Sequence, residues 1–179
     1  NKSDYLSDVT SFIAEISELF EIVRLQASEQ NWFHDVSVFQ SMSRQALDLF
    51  SEVHSEYDLA QGFTHSDFSQ HNTSVQANGV VNIFDLEKCL LGSKWEDYAR
   101  MYDDLQNHSE HRGTSSGELF FNKLTPHEQF HTMLFTVYKS LYLLRHHLRI
   151  YVNDWEPLRG LRVARCFQTF VNSTEFCVQ

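Results

Sequence analysis

The chain is written in helical periodicity on both sides of one short stretch that cannot be helix. Apolar residues recur three and four apart at Tyr5, Val9, Phe12, Ile13, Ile16, Leu19, Phe20 and Val23, and again at Phe39, Met42, Ala46, Leu49, Phe50 and Val53. That period predicts amphipathic helices over 4–26 and about 35–55, each with its stripe turned to a core. Residues 61–72 then change the grammar to Gly, Ser, His, Asp and Asn, which predicts a polar loop. The β-prone runs Thr73–Val75 and Val80–Phe84 follow, on either side of Ala77-Asn78-Gly79, and Asn-Gly is a strong hairpin-turn signal. This interruption constrains the architecture to a mainly α (α+β) chain with one small β-hairpin. Antiparallel pairing would bring the outer ends of that hairpin, Asn72 and Asp85, close together.

Downstream the helical grammar returns. Trp95 to Leu105 reads as a short helix and residues 107–118 as a polar loop. Thr125-Pro126-His127-Glu128 has the form of a helix start, with Thr as cap, Pro at the first position and Glu three after the cap. That helix is expected to run to about Leu148, and a last one to lie within 155–175 with Pro157 near its start. There is no internal repeat or linker, and 179 residues suit a single domain, 1–179.

Formal net charge is −10, which argues against a nucleic-acid groove, because phosphate neutralisation needs clustered Lys and Arg. The same balance is compatible with a cationic small substrate. No apolar run approaches membrane-spanning length. The three cysteines, Cys89, Cys166 and Cys177, have no C-x-x-C spacing, which predicts reduced thiols in a cytoplasmic protein. No signal peptide precedes the sequons at Asn72 and Asn172, so both are read as coincidence.

The polar loop and hairpin carry the chemistry. His65-Ser66-Asp67-Phe68-Ser69-Gln70-His71-Asn72 is H-x-D-x-x-x-x-N, and Asp85 follows the hairpin. Phosphoryl transfer from a nucleotide needs a carboxylate at the acceptor hydroxyl and oxygen ligands that hold magnesium against the phosphates. Asp67 is the candidate base, while Asn72 offers an amide oxygen and Asp85 a carboxylate to the ion. Asp85 ends the run Val80-Val81-Asn82-Ile83-Phe84, read as a buried strand, where a carboxylate is costly without a cation to meet it. His65 is suited to the catalytic loop, as a brace or a participant. Glu87 either assists at the metal or pairs with Lys88 or an arginine. Asp97 either caps its helix or braces the catalytic loop from behind.

His65-x-Asp67-x4-Asn72, the hairpin, Ile83-x-Asp85-x-Glu87 and Asp97-Tyr98-Ala99 together resemble the aminoglycoside phosphotransferase/choline kinase-like family. The resemblance covers residues 65–99, and the flanking helices agree in kind. It implies the C-terminal lobe of a protein-kinase-like fold that phosphorylates a small molecule's hydroxyl with ATP or GTP and Mg2+. By resemblance Asp67 would be the base, Asn72 and Asp85 the metal and nucleotide ligands, and Asp97 the loop's stabiliser. The family commonly has Gly where Ser66 stands. In the family a Gly-rich turn and a strand lysine precede the catalytic loop, whereas the only glycine before Asp67 is Gly62 and the only lysine is Lys2. The nucleotide-gripping N-terminal lobe is therefore expected to be absent, through truncation, supply by another chain, or loss.

Two other functions compete. His127-Glu128-Gln129-Phe130-His131 is H-E-x-x-H, the zinc-metallopeptidase pattern, with His146 and His147 available as further ligands. Against it, Glu128 already has a role as the capping residue. A kinase-like lobe without activity, serving as an interaction module, is the other.

Overall fold

The computed structural model describes residues 4–26, 36–57, 61–107, 116–154 and 157–179. It is mainly helical, with two small antiparallel sheets among the described residues. The chain divides into two compact units, one built from residues 4–54 and 137–179 and the other from residues 55–136.

The first unit is all helix. Helix α1 spans Tyr5–Gln26 and α2 spans Val36–Tyr57, of which residues to 54 belong to this unit. Asp4 caps α1, accepting the Ser7 N–H on Oδ1 at 3.0 Å. The apolar stripe read from the sequence is the buried one: Val9, Ile16, Val23 and Ala46 are fully buried, and Phe12, Phe20, Phe39 and Phe50 nearly so. Phe20 meets Phe39 edge-on at 5.2 Å between centroids, and Phe39 packs on Phe170 at 5.6 Å. Fully burying such a side chain contributes about 1.5–3 kcal/mol. The unit is completed by the residues of α5 (Pro126–Asn153) from Val137 onward and by α6 (Pro157–Val178). Tyr138 donates its hydroxyl to Asp8 Oδ2 at 3.0 Å, and Arg149 pairs with Glu15, tying α5 to α1 by polar contacts as well.

The second unit holds the strands. β1 (Gln61–Thr64) pairs antiparallel with β4 (Leu90–Ser93), and β2 (Thr73–Val75) with β3 (Val81–Ile83). The expected hairpin is present, with register Thr73 to Ile83 and Val75 to Val81. Gly79 sits at φ 83° in its turn and donates its N–H to Gln76 O at 2.9 Å. Two expectations need correction. Residues 61–64, read as the start of a polar loop, form β1; Gly and Gln hide strand character that the partner β4 supplies. The hairpin is not a buried strand pair either: Val75, Val81, Ile83 and Phe84 are each about half exposed or more. The cost of burial at Asp85 therefore does not arise.

Helix α3 runs Lys94–Asn107 and α4 runs Ser116–Phe121. Part of the expected loop 107–118 is thus helix, and residues 108–115 lie outside the described residues. Tyr98 packs on Phe120 and Tyr102 on Phe121. Gly117 lets α4 approach α3 closely: a Cβ there would come within 2.5 Å of the Gln106 side chain, which would have to move. Helix α5 starts as its sequence dictates. Thr125 Oγ1 accepts the Glu128 N–H at 3.3 Å, and Glu128 Oε2 accepts the Thr125 N–H at 2.9 Å. It continues to Asn153, past the expected Leu148.

Candidate functional site

The strand β1 ends at Thr64, and the chain turns sharply into Asp67. Ser66 adopts φ 60°, a left-handed conformation that costs a side-chain-bearing residue about 1–2 kcal/mol. The turn is held from behind by α3. Asp97 Oδ2 accepts the His65 N–H at 2.9 Å, and its Oδ1 accepts the Ser66 N–H at 2.8 Å. Ser66 Oγ donates to Lys88 O at 2.8 Å, which fixes the turn to the segment after the hairpin.

His65 is buried and both its ring nitrogens serve backbone. Nδ1 accepts the Asp67 N–H at 3.3 Å, so Nε2 carries the proton and donates to Phe84 O at 2.7 Å. The imidazole thus bridges the loop to the residue just before Asp85.

Asn72 and Asp85 stand at the two outer ends of the hairpin. Phe84 N–H donates to Asn72 O at 2.8 Å, one step beyond the Thr73–Ile83 pair. Asn72 Nδ2 donates to Asp67 O at 2.9 Å, which commits the amide's donor end inward and leaves Oδ1 as its acceptor end. Asp85 is exposed and sits at φ 57°, ψ 58°. Strained residues of this kind concentrate at functional sites. Glu87 is exposed, with no hydrogen bond or ion pair among the described residues.

Lys88 pairs with Asp67 rather than with Glu87. Its Nζ lies 2.9 Å from Asp67 Oδ2, and Arg100 Nε lies 3.0 Å from Oδ1. Partial burial raises the Asp67 pKa, but the hydrogen bonds and charges of Lys88 and Arg100 outweigh it, and the carboxyl sits below its ordinary value. The Lys88 ammonium is pushed up, first by its hydrogen bond to Asp67 and by that residue's charge, with Asp85 adding to the pull.

Arg100 and Asp104 were not singled out by motif. Arg100 Nη1 reaches Asp104 Oδ1 at 3.5 Å, and the fully buried Asp104 accepts the Gln70 N–H on Oδ2 at 2.9 Å. The available signal was spacing: Asp97, Arg100 and Asp104 are three and four residues apart and share one face of α3. That face organises the loop from His65 to Gln70.

The second motif is also in this unit. Glu128 holds its carboxylate on the Thr125 N–H and hydroxyl, each at 2.9 Å. His127 Nδ1 and His131 Nε2 are 3.2 Å apart. Among the described residues, no group of three or more His, Cys, Asp and Glu is arranged to hold a metal ion. Nor does any described helix have the length and apolarity to cross a membrane.

Comparison of the chain with protein-family models, curated proteins and solved structures gives no match. The chemistry of the site therefore rests on its own residues.

Proposed function

We propose that the loop and hairpin form the acceptor and metal half of an ATP/Mg2+-dependent phosphotransferase acting on a hydroxyl of a small molecule. The observation that carries this is one chain of hydrogen bonds that links His65, Asp67 and Asn72 and ends at Phe84, the residue before Asp85: Asn72 Nδ2 to Asp67 O, Phe84 N–H to Asn72 O, and His65 between Asp67 N–H and Phe84 O. Asp97 supplies the brace behind it. The φ of 60° at Ser66 adds support, because the resembling family commonly has Gly there, and Gly adopts that conformation without strain.

Asn72 Oδ1 and the Asp85 carboxylate are oxygen donors of the kind magnesium takes. Lys88, whose ammonium rests on Asp67 and feels Asp85, supports a site that attracts positive charge. Magnesium, or a nucleotide carrying it, would supply charge neutralisation for the phosphates. Asp67 would orient the acceptor hydroxyl and take its proton. Its lowered pKa makes it a weak base, which is sufficient for a loose transition state that needs little proton abstraction before the phosphoryl group moves. A nucleotide-gripping lobe, in cis or from another chain, would complete the site. The paired Phe63 and Leu91, 72% and 58% exposed, leave apolar side chains uncovered that such a lobe could cover.

A non-catalytic interaction module is favoured by a different observation: both oxygens of Asp67 are already in ion pairs. Calorimetry with Mg-ATP separates the two, followed by a screen of hydroxylated acceptors for ADP release in the presence of a nucleotide-gripping lobe. The enzyme should show magnesium-dependent nucleotide binding that weakens in Asp85→Ala and, less, in Asn72→Ala. Asp67→Asn should cut turnover by orders of magnitude with nucleotide affinity kept. Nucleotide affinity indifferent to magnesium would leave the interaction module.

A further inference from the structure

The H-E-x-x-H motif is left unabsorbed by the phosphotransferase site, and its three polar residues do two separate jobs. Glu128 closes the capping box with Thr125. The two histidines, one helical turn apart on α5, face one another. His127 is exposed and His131 buried, with rings edge-to-face at 4.2 Å between centroids. His131 lies flat against Trp95 at 5.1 Å, so its ring plane is fixed by packing.

We infer that His127 Nδ1 and His131 Nε2 form a two-imidazole chelate for a single borderline transition-metal ion of the Zn2+, Ni2+ or Cu2+ class. The two nitrogens are 3.2 Å apart. With metal–nitrogen bonds of about 2.0–2.1 Å, that separation corresponds to an N–metal–N angle of about 100°, between the tetragonal and tetrahedral values. One of the two nitrogens carries the proton of the hydrogen bond between the rings, and that proton must move to the far nitrogen of its ring before both can bind the ion. Trp95 stacking means that little ring freedom remains to be lost on binding.

The site is a chelate and not a peptidase centre. Glu128 is spent on the helix cap, and no third His, Cys, Asp or Glu among the described residues joins the pair. Water completes the coordination. Lys94, seated over Trp95 at 4.3 Å, opposes a second cation and keeps the affinity moderate.

Zn2+ titration by calorimetry of the tag-free chain, repeated with Cu2+, tests this. The expected result is one saturable site, tighter for Cu2+ than for Zn2+ by the usual divalent order, with a zinc-dependent rise in Tm. His127→Gln, at an exposed position that α5 tolerates, should weaken the site at least tenfold and abolish the rise. Glu128→Gln, which keeps the capping box, should bind as the wild type does. Absence of saturable binding, or wild-type affinity in His127→Gln, would overturn the assignment. An equal loss in Glu128→Gln would overturn it too, because the glutamate would then be a ligand.

Discussion

Arg100 donates from Nε to Asp67 Oδ1 at 3.0 Å across 33 residues of sequence, and about a quarter of each side chain remains exposed. The same guanidinium reaches buried Asp104 at 3.5 Å through Nη1. One residue of α3 thus orients the candidate base and helps hold the carboxylate that receives Gln70 N–H. Arg100 has this double use because guanidinium donors are fixed in a plane, which lysine cannot imitate.

Arg100→Ala should destabilise the chain by about 1–3 kcal/mol at neutral pH, the range for lost hydrogen bonds to charged groups. The Asp67 pKa is lowered in the fold, so its contribution is present above the unfolded-state value and is lost as pH falls through the folded one. The stability gap between variant and wild type should therefore narrow in acid, below about pH 4. Urea denaturation at pH 7 and in acid measures it; equal stability at pH 7 would show that the ion pair contributes nothing.

Asp97 carries two backbone N–H groups of the turn into Asp67. Asp97→Ala removes both acceptors while Ser66 remains in its strained conformation, at a cost of about 2 kcal/mol or more. Hydrogen exchange should accelerate first at the amides of His65 and Ser66. If those two amides keep their protection, the turn is held instead by Thr64 Oγ1, which also accepts the Ser66 N–H at 3.3 Å, and by the Ser66 bond to Lys88 O.

How far the sequence speaks depends on whether the relevant interaction is periodic, local or distant. The helices α1 and α2 were legible because Val9, Phe12, Ile16, Phe39, Ala46 and Phe50 repeat the period of the elements that bury them. Thr125 and Glu128 were legible because a capping box is local. Strand β1 was not, since Gln61 and Gly62 have no strand propensity and only pairing with Ser93 and Gly92 defines them. Hairpin burial was misjudged because Val81 and Ile83 are apolar, and apolar character does not say which surface covers them. Asp67, Asn72 and Asp85 stood out by motif, but the pairing of Asp67 with Lys88 and Arg100 joins residues 21 and 33 apart that no local pattern links.

Lys88 offers a test that separates electrostatics at the site from stability. Its side chain is 64% exposed, so Lys88→Ala should change unfolding free energy by less than about 1 kcal/mol. Removing its ammonium uncovers negative charge at Asp67 and Asp85. Under the proposed function, magnesium-dependent nucleotide binding should then tighten, and it would weaken if Lys88 instead holds the phosphates. Titrating magnesium at fixed ATP distinguishes the two.

The helical unit has its own pH dependence, centred on His147 of α5. Its pKa is held down to about 4, first by burial and then by the charges of His146, Arg162 and Arg159. Its Nδ1 is buried with no hydrogen-bond partner among the described residues. A histidine whose folded pKa lies below the unfolded value near 6.5 leaves the unfolded chain binding the extra proton. Stability must then fall as pH drops from about 6.5 toward 4, and this contribution is flat above that window. His147→Leu removes both the proton and the unpartnered nitrogen. It should leave stability at pH 7 unchanged or slightly raised, because replacing an unsatisfied buried polar group by an apolar one of similar size is close to neutral. It should also flatten the stability profile between pH 6.5 and 4. Denaturation midpoints for both proteins across that range decide it. Parallel profiles would mean that His147 titrates alike in the folded and unfolded chain, and that burial on α5 does not set its proton affinity.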